Sequence, residues 1–134
     1  MAEKIKFELV SPEKLLIDEP VGMVVVPGVE GNFGVLAGHA PVIAAVRPGV
    51  IDVYRDGVTS VTQRIFVGGG FAEVTAERVT VLAEDAVEVA KIDREAARKA
   101  VQDLSERLSV ADPGERDQLA KRLAVAQARL DAAA

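Results

Sequence analysis

The chain has 134 residues, of which 49% are hydrophobic and 28% charged, with a net charge of −5. A chain of that size buries enough surface for a core without covalent staples, and its apolar content excludes wholesale disorder. Its zero cysteines and single histidine exclude disulfides, thiol nucleophiles, zinc–thiolate sites and multi-histidine metal centres. The acidic balance and the five aromatic residues (Phe7, Phe33, Tyr54, Phe66, Phe71) argue against a nucleic-acid partner, which needs cationic and stacking surfaces. Apolar runs are too short to span or insert into a lipid bilayer, and the N-terminal Met-Ala-Glu-Lys-Ile-Lys carries no signal core. The expectation is a soluble intracellular protein without a cofactor or a metal ion.

Through residue 90 the hydrophobic period is mostly two. Ile5, Phe7 and Leu9 alternate with Lys4, Lys6 and Glu8, as in a half-buried strand. Leu15 and Ile17 repeat the pattern, and Val21 to Val26 reads as a more continuous apolar strand ending at Pro27-Gly28. Val42 to Val46 is another, stopped by Pro48-Gly49. Val50 to Tyr54 and Val58 to Val67 flank Arg55-Asp56-Gly57, where Asp-Gly predicts a hairpin. Phe71 to Thr75 and Val79 to Ala83 flank a second tight turn at Ala76-Glu77-Arg78. Many short strands with close turns and no intervening helices predict an antiparallel sandwich or barrel.

Near Ala90-Lys91 the composition changes. Nineteen of 22 valines and ten of 11 glycines precede that point, whereas eleven of 21 alanines follow it. Alanine without glycine favours helix. Ala97, Val101, Leu104 and Leu108 are spaced as the seam of an amphipathic helix, and Leu119, Leu123, Ala126 and Leu130 repeat the spacing. Between them, Asp112 fits an N-cap, Pro113 the first helical position, and Glu115 a capping box. The prediction is two parts, 1–90 in strands and 91–134 as an antiparallel helical hairpin. With so few large side chains in its seam, the hairpin wants a second surface to pack on.

Chemistry is sparse along the chain. Gly68-Gly69-Gly70 follows a strand but lacks the spacing and the following helix of a phosphate cradle, and reads as a turn or bulge. His39 sits alone in a Gly-His-Ala-Pro loop, and no nucleophile, base and oxyanion donor assemble in the pattern, so no catalytic residue is assigned. Glu84-Asp85 and Glu88 at the junction read as a solvated linker.

The ordered set of segments is more specific than any single piece. Pro27-Gly28, Gly31-Asn32-Phe33-Gly34-Val35 and Gly38-His39-Ala40-Pro41 are followed by Arg47-Pro48-Gly49-Val50, Phe66-Val67-Gly68-Gly69-Gly70-Phe71 and Val81-Leu82-Ala83-Glu84. Together they resemble the F-type ATP synthase epsilon subunit over nearly the whole chain, in its bacterial form because no presequence is seen. The resemblance implies a β-sandwich of about ten strands followed by a two-helix hairpin. It also implies a non-catalytic rotor subunit on the cytoplasmic face of the bacterial inner membrane. Such a subunit binds the gamma subunit, rests on the ring of c subunits, and transmits ion-driven torque to the catalytic head.

The resemblance assigns Glu30, Gly31, Asn32 and His39 to contact with the c-ring, with a neutral Asn32 where many relatives carry an acidic residue. In relatives the hairpin can extend along gamma and block ATP hydrolysis, which makes Arg116, Lys121, Arg122 and Arg129 the candidates to face acidic residues of the catalytic beta subunit and its alpha neighbours. The plainer reading of those four is a solvated helical face balanced by Glu115 and Asp117. Some relatives bind ATP through a motif opening the first helix. Here Ile92 and Asp93 match that motif but Ala96 replaces its arginine, and Arg98 lies about 200° around the helix from that position. Asp93 therefore reads as an N-cap, and weak or absent ATP binding is expected. Two other classes stay open at this level: a sandwich module that dimerises through its helices, and a nucleotide-hydrolysing enzyme.

Overall fold

The computed structural model describes residues 3–133, so the first two residues of the N-terminal stretch read above and the last residue of the hairpin lie outside the described residues. Ten strands come first: β1 (Ile5–Val10), β2 (Leu15–Val21), β3 (Met23–Gly28), β4 (Gly31–Val35), β5 (Val42–Val46), β6 (Gly49–Tyr54), β7 (Gln63–Val67), β8 (Gly70–Val74), β9 (Arg78–Ala83) and β10 (Ala86–Glu88). A 3₁₀ turn (Val89–Lys91) then leads into α1 (Arg94–Ser109) and α2 (Pro113–Ala133).

The strands follow the order β10-β7-β6-β3-β5-β8-β9-β1-β2, with β4 paired to β3. Between β3 and β5 the ladder narrows to the single pair Gly28–Val46, so the sheet curls there into two facing halves. Inward residues of both halves, including Ile5, Phe7 and Leu9 of β1, Val24 and Val26 of β3, Ile51 and Val53 of β6, and Val79 and Val81 of β9, form one buried core. The period-two alternation therefore holds on β1, β6 and β9, where alternate residues are buried. The architecture is the expected sandwich with one addition, since β1 lies parallel to β9 while every other ladder is antiparallel. That pairing joins strands distant in sequence, so no local turn signal announces it.

Two strand boundaries differ from the sequence reading. The run Val21 to Val26 breaks at Gly22, because a Cβ there would lie 2.3 Å from the Gly57 carbonyl oxygen. The loop after β6 crosses the chain at that point, and only a glycine lets the two backbones approach. For the same reason Arg55-Asp56-Gly57 is part of a longer loop, and β7 begins at Gln63 rather than Val58. Thr62 closes that loop by donating its N–H to the Val53 carbonyl at 2.8 Å and accepting the Arg55 N–H on its hydroxyl at 3.1 Å. The turn at Thr75–Arg78 forms as expected, closed by the Thr75 N–H on the Arg78 carbonyl at 2.8 Å.

Asp93 caps α1, accepting the Ala96 N–H on its carboxylate at 3.1 Å. The Asp112 carbonyl receives the first N–H groups of α2, from Glu115 and Arg116, beyond the short Val110-Ala111-Asp112 connection. Only Ala97 and Leu104 of α1 are buried, and no side chain of α2 is. The seam is as thin as its composition suggests, and the hairpin finds its second surface on the sandwich.

Candidate interaction sites on the sandwich and the hairpin

Three surfaces stand out, and each arises from a local feature of the sequence. The first is the outer face of the half-sheet containing β6, β7 and β10. Ile65 and Val67 of β7 point into the core, so Phe66 between them points outward, yet it has 0% exposure. What covers it is α2. The Arg129 guanidinium stands 5.9 Å from the centre of the Phe66 ring and its Nη1 lies 3.0 Å from Asp85 Oδ2. Val125 reaches the same place, its Cγ1 3.5 Å from where a side chain on Gly68 would begin.

The glycine run and the acidic junction thus acquire structural work in docking the helix. Gly68 leaves room for Val125 and Asp85, and its N–H bonds the Asp85 carbonyl at 2.9 Å. Gly70 lies where a Cβ would sit 1.8 Å from the Leu82 carbonyl oxygen, with φ +148. Of the junction carboxylates, Glu84 is exposed as a solvated linker residue would be, whereas the other two are engaged. Asp85 pairs with Arg129, and Glu88 receives the Gln63 side-chain amide at 2.8 Å and faces Lys91 at 3.5 Å.

The second surface is an open cleft of about 630 Å³ at the end of the sandwich. The hairpin of β3 and β4 and the loop before β5 bring together Glu30, Gly31, Asn32 and His39, and Val29, Phe33 and Ile43 also line the cleft. Gly31, at φ +135, reverses the chain directly after Val29 and Glu30. His39 Nδ1 lies 2.6 Å from its neighbour's carbonyl, Ala40 O, to which it donates. The loop carrying His39 is pinned by the Gly38 N–H on the Ala76 carbonyl at 2.8 Å. Arg47, which sequence reasoning left without a role, donates Nη1 to the Gly28 carbonyl and Nη2 to Asn32 Oδ1, each at 2.6 Å.

The third surface is the outer face of the other half-sheet. Cross-strand partners Ala45–Phe71, Phe71–Leu82, Leu82–Val10 and Val10–Leu15 set one apolar row across five strands, β5-β8-β9-β1-β2. Phe71 is 59%, Leu82 54% and Leu15 52% exposed, and Ile43 beside the row is 75% exposed. Large apolar side chains aligned in water on one sheet face are an interaction-type surface rather than scattered exposed residues.

The four basic residues of α2 do not form one face. Arg122 and Arg129 share a side of the helix, whereas Arg116 and Lys121 diverge around it. Arg116, Lys121 and Arg122 are exposed, while Arg129 is engaged with Asp85. At the start of α1, Ile92 is half-buried, Asp93 is spent on the cap, Ala96 is exposed, and Arg98 pairs with Glu95. That pairing, first through its side-chain hydrogen bond and then through its charge, holds the Glu95 carboxyl below the ordinary carboxylate range.

Phe66 and Val125 were missed by motif reading, although the unbroken Ile65-Phe66-Val67 run inside an otherwise alternating pattern is the signal of a strand covered on both faces. Arg47 had a weaker signal, as the one basic residue between Lys14 and Arg55.

The sandwich thus carries a helical hairpin on one face and an exposed apolar row on the other. Residues 4–89 match the family of the ATP synthase delta/epsilon chain, beta-sandwich domain. The chain is 57% identical over 135 aligned positions to the ATP synthase epsilon chain of Rhodospirillum centenum, covering 98% of this chain and 92% of that one. It is 51% identical to that of Rhodospirillum rubrum, covering 98% of each. Among solved structures it resembles a chain of the Euglena gracilis mitochondrial ATP synthase OSCP/F1/c-ring assembly, with a TM-score of 0.83, 29% identity, and coverage of 99% of this chain and 82% of that one. A chain of the Tetrahymena thermophila mitochondrial ATP synthase central stalk and c-ring shares the fold, with a TM-score of 0.67 at 16% identity and 98% coverage of each. The chain belongs to the ATP synthase epsilon chain family.

Proposed function

We propose that the chain is a non-catalytic central-stalk subunit of a bacterial F-type ATP synthase, peripheral on the cytoplasmic face of the inner membrane. In this reading it couples the ion-driven c-ring to the catalytic head through the gamma subunit. The observation that carries it is the family likeness along the whole chain joined to an uncovered apolar row on the sandwich. The row from Ala45 to Leu15, with Ile43, is the surface we assign to gamma. Its aromatic and aliphatic side chains suit the buried centre of a protein interface. The cleft holding Glu30, Gly31, Asn32 and His39 is assigned to the polar loops of the c-ring.

The two parts, 1–90 and 91–134, act as coupler and regulator. With its hairpin on the sandwich, the chain has Arg129 occupied by Asp85 and Phe66 under cover. Release of the hairpin frees Arg129 to join Arg122 on one side of α2 against acidic residues of the catalytic beta subunit, with Arg116 and Lys121 turned toward that subunit's neighbours, and that form inhibits hydrolysis. Such a release is a population shift, driven only as far as the partner binds the extended form better. Weak or absent nucleotide binding is expected in this control, because Asp93 serves as the cap and Ala96 supplies no charge.

The test uses a catalytic head lacking this subunit, with ATPase measured after adding residues 1–134 or 1–90. Binding of both with inhibition by the longer chain alone supports the coupler-and-regulator reading. Binding of both without inhibition leaves a coupling subunit whose helices are structural. Failure of both to bind gamma overturns the proposal.

A further inference from the structure

We propose that Arg47 is the positioning residue of the ring-facing turn, and that Asn32 serves as its anchor rather than as a contact residue. Arg47 stands where the two half-sheets meet, one residue beyond the single Gly28–Val46 pair. Its backbone N–H bonds the Pro27 carbonyl at 2.9 Å, which fixes the start of the side chain. From there the guanidinium forks, with one nitrogen on the Gly28 carbonyl of β3 and another on Asn32 Oδ1 of β4, both at 2.6 Å. The fork spans the neck of the β3–β4 hairpin, and the Val29 N–H ties the turn to the Ala45 carbonyl at 3.0 Å.

Only Val29 and Glu30 lie beyond this clamp, between the Gly28–Gly31 pair that closes the hairpin. Both are exposed, and Glu30 has no ion pair among the described residues. The side-chain oxygen of Asn32 is taken by Arg47, so the acidic group presented at the tip is Glu30. The partner that fits is a loop offering a cation to Glu30 and an apolar group to Val29. A lysine at 47 would keep the charge without the planar fork, and so would hold one strand but not both.

The inference rests on the assignment of this cleft to the c-ring, and the experiment separates the two. Amide exchange is read on the full chain alone for Arg47→Ala, Arg47→Lys, Asn32→Ala and Asn32→Asp. Arg47→Ala is expected to speed exchange at Val29 and Gly31 by about tenfold or more, since both charge-assisted arms of the fork are lost and each is worth about tenfold or more, with core amides unchanged. Asn32→Ala should reproduce part of that effect and add nothing to Arg47→Ala, Arg47→Lys should restore only part, and Asn32→Asp should slow exchange below the parent. Unchanged exchange in Arg47→Ala, or full additivity with Asn32→Ala, overturns the clamp. If Arg47→Ala fails to fold, Asn32→Ala alone decides, because it deletes one arm of the fork and leaves the arginine. Binding of the gamma complex of each variant to detergent-purified c-ring is measured in parallel with Glu30→Arg. Weakened binding in both Glu30→Arg and Arg47→Ala supports the full proposal. Normal binding in Glu30→Arg overturns the ring assignment, whereas weakening in Glu30→Arg with none in Arg47→Ala overturns the positioning role.

Discussion

Replacing Phe66 by alanine separates hairpin docking from sandwich stability. Phe66 has 0% exposure but stands apart from the core cluster to which its neighbours Ile65 and Val67 belong. The atoms that cover it include the Arg129 guanidinium, 5.9 Å from the ring centre. Undocking the hairpin returns the ring to water, and burying such a side chain is worth roughly 1.5–3 kcal/mol. In Phe66→Ala most of that difference between docked and undocked forms disappears, so the undocked population rises roughly 10- to 100-fold. The assay is amide exchange of the full chain, comparing α1 and α2 with β1, β6 and β9. Faster exchange confined to the helices is the expected result, accompanied by stronger inhibition of the catalytic head if the released hairpin is the inhibitory form. Equal loss of protection in the sandwich strands would refute the reasoning, since Phe66 would then be supporting the core.

Arg129→Ala should shift docking in the same direction by less. The pair with Asp85 is more than a third exposed on both sides and screened by solvent, so it contributes about 0.2–1 kcal/mol, and the ring contact about 0.5–1 kcal/mol more. Asp85→Ala should capture only the ionic share, which a salt titration of helix exchange will reveal. Gly70→Ala should cost well over the usual ~1–3 kcal/mol of overpacking, because the new Cβ meets the Leu82 backbone carbonyl, which cannot move aside as a side chain would. Gly38→Ala, at φ +88 with open space around it, should cost about 1–2 kcal/mol, and chemical denaturation of the two variants compares them directly. Glu95 has its carboxyl held low by Arg98, so its stabilising pair is present above the ordinary carboxylate range and is lost as pH falls through the lowered value. Far-ultraviolet circular dichroism during acidification should show Glu95→Gln lacking that late loss of helix signal.

Much of this organisation is written locally. Period-two alternation in Ile5, Phe7 and Leu9 names a strand and its buried face, and the 4-3-4 spacing from Ala97 to Leu108 names a helix. Asp93 identifies its own role, since a carboxylate just before a helix has backbone N–H groups within reach. The family likeness was legible for a different reason, because glycines and prolines at fixed intervals encode turns that only certain backbones accept. The Glu30, Gly31, Asn32 and His39 cluster could be named for the same cause, as it lies close to those turns.

Long-range contact decided the rest. The break at Gly22 depends on Gly57, 35 residues away in the chain, and no window around either residue contains the other. The parallel β1–β9 ladder is likewise invisible to turn chemistry. Whether Asp85 is a solvated carboxylate or the partner of Arg129 depends on where a helix lands after a connection of several tens of residues. Sequence determines which faces are apolar, because hydropathy and backbone period are properties of the residues themselves. Which of two apolar faces the hairpin covers, and which stays exposed, is fixed by how the curled sheet orients its last strand toward α1. That choice placed Phe66 under cover and left Phe71 in water.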